Sequence, residues 1–169
     1  DYPRYWSSCL VQALAMQAIT QRSRAAPVEE MFCLGLLARV GELAMATLHP
    51  QEYGRALTQA LESPDTPLVE FEQRAFAMNH RELGAAMLGD WGLPNVFCQA
   101  AAFSEQPDDS GFEPGTREYA LTQSLKLAAS IAELFLAPAA ERPMLMRRLC
   151  DVGAALSFEP MTINELCDG

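Results

Sequence analysis

The chain has 169 residues, half of them hydrophobic and a fifth charged, enough for one domain with a substantial core. Twelve basic residues against 22 acidic ones leave a formal charge of −10, which removes any general attraction to phosphate backbones or anionic lipid. Nucleic acid is therefore not an expected partner, and the Arg142, Arg147, Arg148 cluster reads as a solvated helix face.

Helical periodicity runs through nearly the whole chain. Residues 4–21 place Trp6, Leu10, Leu14 and Ala18 on one stripe that Val11 widens, a pattern that predicts a core-facing ridge. After Ala26-Pro27, the segment from Val28 to Leu48 is apolar on almost every side, which predicts the most buried element, bent or broken near Gly41. A glycine inside a helix costs roughly 0.5–1 kcal/mol relative to alanine, so Gly35 and Gly41 point to a close helix contact or a break. Pro50 suits a first helical position and starts a short helix to about Leu61. Thr66-Pro67 reads as N-cap and first position of the next helix.

Asn79 with Glu82 three residues later matches a capping box, and Gly92 with Pro94 stops that helix near Trp91. Residues 94–104 form a further helix, and 105–115 is a polar loop. Leu121, Leu125, Ala128, Ala132 and Phe135 repeat at 4-3-4-3 spacing, as do Leu145, Leu149, Val152 and Leu156. These two seams are too short for a free coiled coil and predict packing against neighbours. No alternating strand pattern or repeat occurs, so the expected class is all-α.

Five cysteines lie far apart with no C-x-x-C pair, the usage of reduced thiols in a cytoplasmic protein. The longest apolar stretch is interrupted by Arg39 and Glu42, so no membrane span is expected. A first residue of Asp1 and an abrupt end at Gly169 suggest a piece of a longer protein. Motif chemistry is sparse. The chain has two histidines, His49 and His80, and lacks H-E-x-x-H, a calcium loop, a Gly-rich phosphate loop and a G-x-S-x-G elbow.

Four ordered segments carry a resemblance: "YWSSCLVQALA", "EEMFCLGLLARVGELAMATLHPQEY", "NHRELGAAMLGDWGLP" and "LTQSLKLAASIAELF". Together they resemble the HDOD domain, a non-enzymatic relative of the HD phosphohydrolases in bacterial signalling proteins. The resemblance implies a compact multi-helix bundle of HD type over residues 1–137, its HD-like helical half. Residues 138–169 would form a C-terminal helical extension that packs on it or leads to a following domain.

It also marks where metal ligands would stand in the catalytic relatives. The His-Asp pair falls at Ala38 and Arg39, the first-helix histidine at Ser8 and the late aspartate at Ala129. A further histidine pair would fall near Ser104 and Glu105, so of the ligand-type positions His80 alone remains. Alanine donates no lone pair, and arginine puts a permanent positive charge where a cation would sit. The expectation is a regulatory, protein-interaction domain with neither metal nor cofactor. Its expected partner is an adjacent signalling domain, of receiver or cyclic-di-GMP type, with a second copy of the domain as another candidate. Arg39 and Glu42, three residues apart, share a helix face and suit either a structural ion pair or a site for a nucleotide-type anion, unless solvent takes both. A residual phosphohydrolase is the third reading. His80 is expected to be an ordinary first-turn residue.

Overall fold

The computed structural model describes residues 1–23 and 27–168; Ala26 and Gly169, which figured in the sequence reading, lie outside these. Among the described residues the chain is helical without strands. In chain order the helices are α1 (Tyr2–Ser23), α2 (Val28–Leu37), α3 (Val40–Leu48), α4 (Pro50–Glu62), α5 (Leu68–Phe76), α6 (His80–Asp90) and α7 (Asn95–Phe103). A 3₁₀ turn at Pro107–Ser110 precedes α8 (Arg117–Leu136), α9 (Arg142–Ala154) and α10 (Pro160–Asp168).

The most buried element is α8, not the 28–48 segment. Leu121, Leu125, Leu127, Ala128, Ile131, Ala132 and Leu134 of α8 are all nearly inaccessible. They form one core with Met16 and Ile19 of α1, Met31 and Leu34 of α2, and Leu145, Leu149, Ile163 and Leu166 of α9 and α10. Phe135, the last member of the predicted seam, is 47% exposed, while its neighbours Leu134 and Ala137 are buried. Segment 28–48 has the length and mean hydropathy (1.6) of a membrane-crossing helix. It folds as two helices instead, burying Met31 and Leu34 on one and Val40 and Met45 on the other.

The break between them falls at Ala38–Arg39, two residues before Gly41. Gly41 has a different task. A Cβ there would overlap the backbone carbonyl of His80 and come within 2.7 Å of the Gly84 nitrogen. Glycine is what lets α3 cross α6 backbone to backbone at this point.

The predicted α1 ridge points outward over most of its length, although Ala18 and the flanking Val11 pack against the core. Trp6, Leu10 and Leu14 are 51%, 49% and 52% exposed, while the buried face is Cys9, Gln12, Ala13, Met16, Ile19 and Thr20. The reason is size. A Cβ on Gly35 of α2 would lie 2.8 Å from the Ala13 Cα, so the two helices approach through their smallest residues and the bulky row cannot fit between them. Pro67, not Thr66, occupies the N-cap position of α5, one residue later than expected. The Asn79 capping box is present as expected: its side chain accepts from the Arg81 and Glu82 nitrogens at 3.0 Å, and Glu82 accepts from Asn79 N at 2.9 Å.

Candidate functional site

The α2–α3 break turns Arg39 out of the helical register, with φ −102° and ψ 16°. Its carbonyl accepts hydrogen bonds from the Glu42 nitrogen at 3.1 Å and from the Tyr5 hydroxyl at 2.9 Å, which ties α1 to the break. The side chain enters a cavity of about 670 Å³. There Arg39 Nε donates to Glu42 Oε1 at 2.6 Å, Nη2 to Glu42 Oε2 at 2.7 Å, and Nη1 to Ser8 Oγ at 2.6 Å. The guanidinium also lies over the Tyr5 ring, 5.7 Å from its centroid. All three nitrogens are thereby engaged. Burial disfavours the charge, but the Glu42 hydrogen bonds outweigh it and hold the Arg39 pKa above its ordinary value.

The positions that the resemblance marks converge on this cavity in part. Ser8, Arg39, Ala129, Ser104 and Glu105 line it, together with Glu42, Gln12 and Tyr53. Ala38 packs against the core instead. His80 lies behind the wall, 7% exposed.

His80 is no ordinary first-turn residue. Its Nδ1 faces Glu72 Oε2 at 2.7 Å and its Nε2 faces Glu105 Oε1 at 2.9 Å. Its backbone nitrogen donates to Glu72 at 3.0 Å. Burial opposes protonation, but the hydrogen bonds to Glu105 and Glu72 prevail and push the His80 pKa up to about 10. The imidazolium returns the effect: despite burial, it holds the Glu105 carboxyl below its ordinary range. Both ring nitrogens then donate, so neither offers a lone pair to an ion.

Glu72 is fully buried, and the sequence reading missed it. A signal was present. Leu68, Glu72 and Phe76 fall at i, i+4 and i+8 of α5, so the carboxylate sits in an apolar row, where only a charged partner makes it tolerable. Glu105 lies near a place where the resemblance puts a histidine in some relatives; the structure makes it the link between His80 and the cavity. Tyr53 and Tyr5 were not singled out, and burial raises both of their pKa values above the ordinary range.

Glu42, His80 and Glu105 place potential ligand atoms within 4.8 Å of one another. The donor set does not suit a divalent ion. Glu42 is committed to a guanidinium that would stand beside the ion, and His80 is held as a double donor between two carboxylates.

The structure resembles that of the MmoQ response regulator from Methylococcus capsulatus str. Bath, at a TM-score of 0.79 and 34% identity over 99% of this chain and 62% of that one. A second structure of that protein, fragment 20–298, gives a TM-score of 0.70 and 38% identity over 88% of this chain and 57% of that one. A provisionally assigned phosphohydrolase from Shewanella amazonensis SB2B shares the fold at a TM-score of 0.77 and 19% identity, covering 99% of this chain and 60% of that one. The chain thus spans about three fifths of the length of the structures it matches. No curated protein sequence matches it. The HDOD domain matches residues 1–107, which include the Arg39–Glu42 pair and the His80 clamp, and the chain belongs to the HDOD domain family.

Proposed function

We propose that the chain is a non-catalytic regulatory domain of a cytoplasmic bacterial signalling protein, acting through contact with an attached signalling domain rather than by hydrolysis. The observation that carries this reading is Arg39. Its guanidinium, too basic to be silenced by deprotonation, occupies the pocket at the place of a metal ligand and takes the nearest carboxylate for itself. Activating water on a metal needs several converging lone pairs and an open coordination position. Beside Arg39 the cavity wall carries Ser8 and Ala129, and His80 behind it is held as a double donor.

Output by contact finds support in the exposed row Tyr2, Trp6, Leu10 and Leu14 along α1, since contiguous apolar surface on a folded domain commonly marks an interaction site. A partner such as a receiver or cyclic-di-GMP domain would be controlled by a shift in docking geometry, each docked state being biased by the input.

The test is elemental analysis of the purified domain combined with hydrolysis assays on phosphomonoesters and phosphodiesters in the presence of magnesium, manganese or iron. The expected result is sub-stoichiometric metal and no turnover. Near one equivalent of bound metal with turnover that scales with loading would overturn the reading.

A further inference from the structure

One group in the cavity belongs neither to the Arg39 pair nor to the His80 clamp. Gln12, on α1, is 2% exposed and lines the cavity, yet its Oε1 is buried with no hydrogen-bond partner. Folded proteins rarely keep an unpaired buried amide oxygen, and one beside a cavity calls for a water or a ligand as its partner.

The surrounding wall limits what that partner is. Arg39 uses three of its five N–H donors on Glu42 and Ser8 and has its charge offset by Glu42, so its pull on a phosphate is reduced. Arg4, at the exposed rim, is the lining cation left without an ion pair among the described residues. The carboxylates are less committed. Glu133 lines the cavity without an ion pair among the described residues, and Glu105, shared with His80, keeps a side chain 51% exposed. Arg81 Nε also stands 4.0 Å from Glu105 Oε2, but a carboxylate offers about four acceptor positions, so His80 and this longer pair do not saturate it. Tyr5 and Tyr53 supply aromatic surface, and Leu43 and Leu57 supply apolar surface. With the Tyr5 ring already under Arg39, the Tyr53 ring and the carboxylates are what favour a cation over an anion. The volume of about 670 Å³ lies well within the range of roughly 300–1,000 Å³ of small-molecule sites.

We propose that this cavity binds a small organic cation, an ammonium or guanidinium on a short apolar or aromatic body. The ligand donates to Gln12 Oε1 and sets its charge against Glu105 and Glu133. The proposal rests on the non-catalytic reading, because a resident metal would claim the same carboxylates. It reverses the anion preference that Arg39 suggests when its neighbours are unknown.

The test is calorimetric titration and thermal shift of the purified domain with agmatine and tyramine as cationic probes, and with AMP and a cyclic dinucleotide as anionic ones. Saturable one-to-one binding of a cationic probe is expected, with a rise in melting temperature by mass action. Gln12→Leu, which keeps the volume and removes the amide, should weaken that binding at least tenfold without lowering the ligand-free melting temperature. Glu133→Gln, on an exposed residue and therefore safe for folding, should also weaken it. Absence of cation binding, cation binding untouched by Glu133→Gln, or preference for the anionic probes would each overturn the assignment. These outcomes separate from those of the hydrolysis assay. A null titration with no turnover removes the ligand alone, whereas metal-dependent turnover removes the regulatory reading whatever the titration gives.

Discussion

Glu42 grips Arg39 through two parallel hydrogen bonds of 2.6 and 2.7 Å across one turn of chain. The pair lines a cavity, with side chains 34% and 18% exposed, so solvent screens it and its net worth stays below that of a fully buried pair. Removing one partner is different from removing both. Glu42→Gln leaves a half-buried guanidinium short of its acceptors and is expected to cost about 1–3 kcal/mol in urea denaturation. Arg39→Met combined with Glu42→Leu should recover most of that loss. A double variant no more stable than Glu42→Gln would show that the pair itself holds α3 in place.

The His80 clamp makes stability depend on pH in a stated direction. The folded pKa of about 10 lies above the ordinary value of 6.5, so the native state binds the proton more tightly than the unfolded chain. The resulting stability is fully present below about pH 6.5 and is lost as pH rises through 10. Denaturant midpoints should fall progressively across that interval. In Glu105→Gln, which takes one carboxylate from the ring, the decline should be shallower and end at lower pH. An unchanged pH profile in that variant would refute the clamp.

Gly41 and Gly54 both sit in helices, and they should respond oppositely to alanine. At Gly41 the new methyl collides with the His80 carbonyl and with the backbone of α6, neither of which can swing aside. Gly41→Ala should cost several kcal/mol, beyond the usual 1–3 kcal/mol of overpacking against mobile side chains. At Gly54 a methyl meets nothing within 4 Å, so Gly54→Ala should stabilise α4 by about 0.5–1 kcal/mol. Thermal melts of the two variants check both signs.

The outward row on α1 gives a further contrast. Trp6→Ser and Leu10→Ser should change the isolated domain's stability by about 0.5 kcal/mol or less. Met16→Ala, on the covered face, should cost about 2–5 kcal/mol. If the row contacts a signalling partner, Trp6→Ser and Leu10→Ser would lower output in the joined protein while leaving the fold intact. Normal output in both would exclude the row as the contact.

Local signals made most of the fold legible. The Asn79–Glu82 box, the Gly92 and Pro94 stop and Pro50 at a helix start are each satisfied by neighbours within a few residues. A reading along the chain could therefore place them. Arg39 and Glu42 are three residues apart, so their pairing was available too, as one alternative among others. The family was visible in four ordered segments because their combination is far more specific than any single helix pattern.

Tertiary structure alone decided the rest. Periodicity says which residues share a face, but not which face is covered. On α1 the small Ala13 met Gly35 and won the interior, and the bulkier Trp6 row was left outside. Glu72, His80 and Glu105 come from α5, α6 and the segment after α7, and no sequence spacing announces a contact across three elements. Whether the space beside Arg39 collapses or stays open likewise depends on how the helix ends meet. The sequence determined which residues stand at the positions the resemblance marks, Ser8, Ala38, Arg39 and Ala129; only the packed helices decided that a cavity lies among most of them, with Gln12 in its wall.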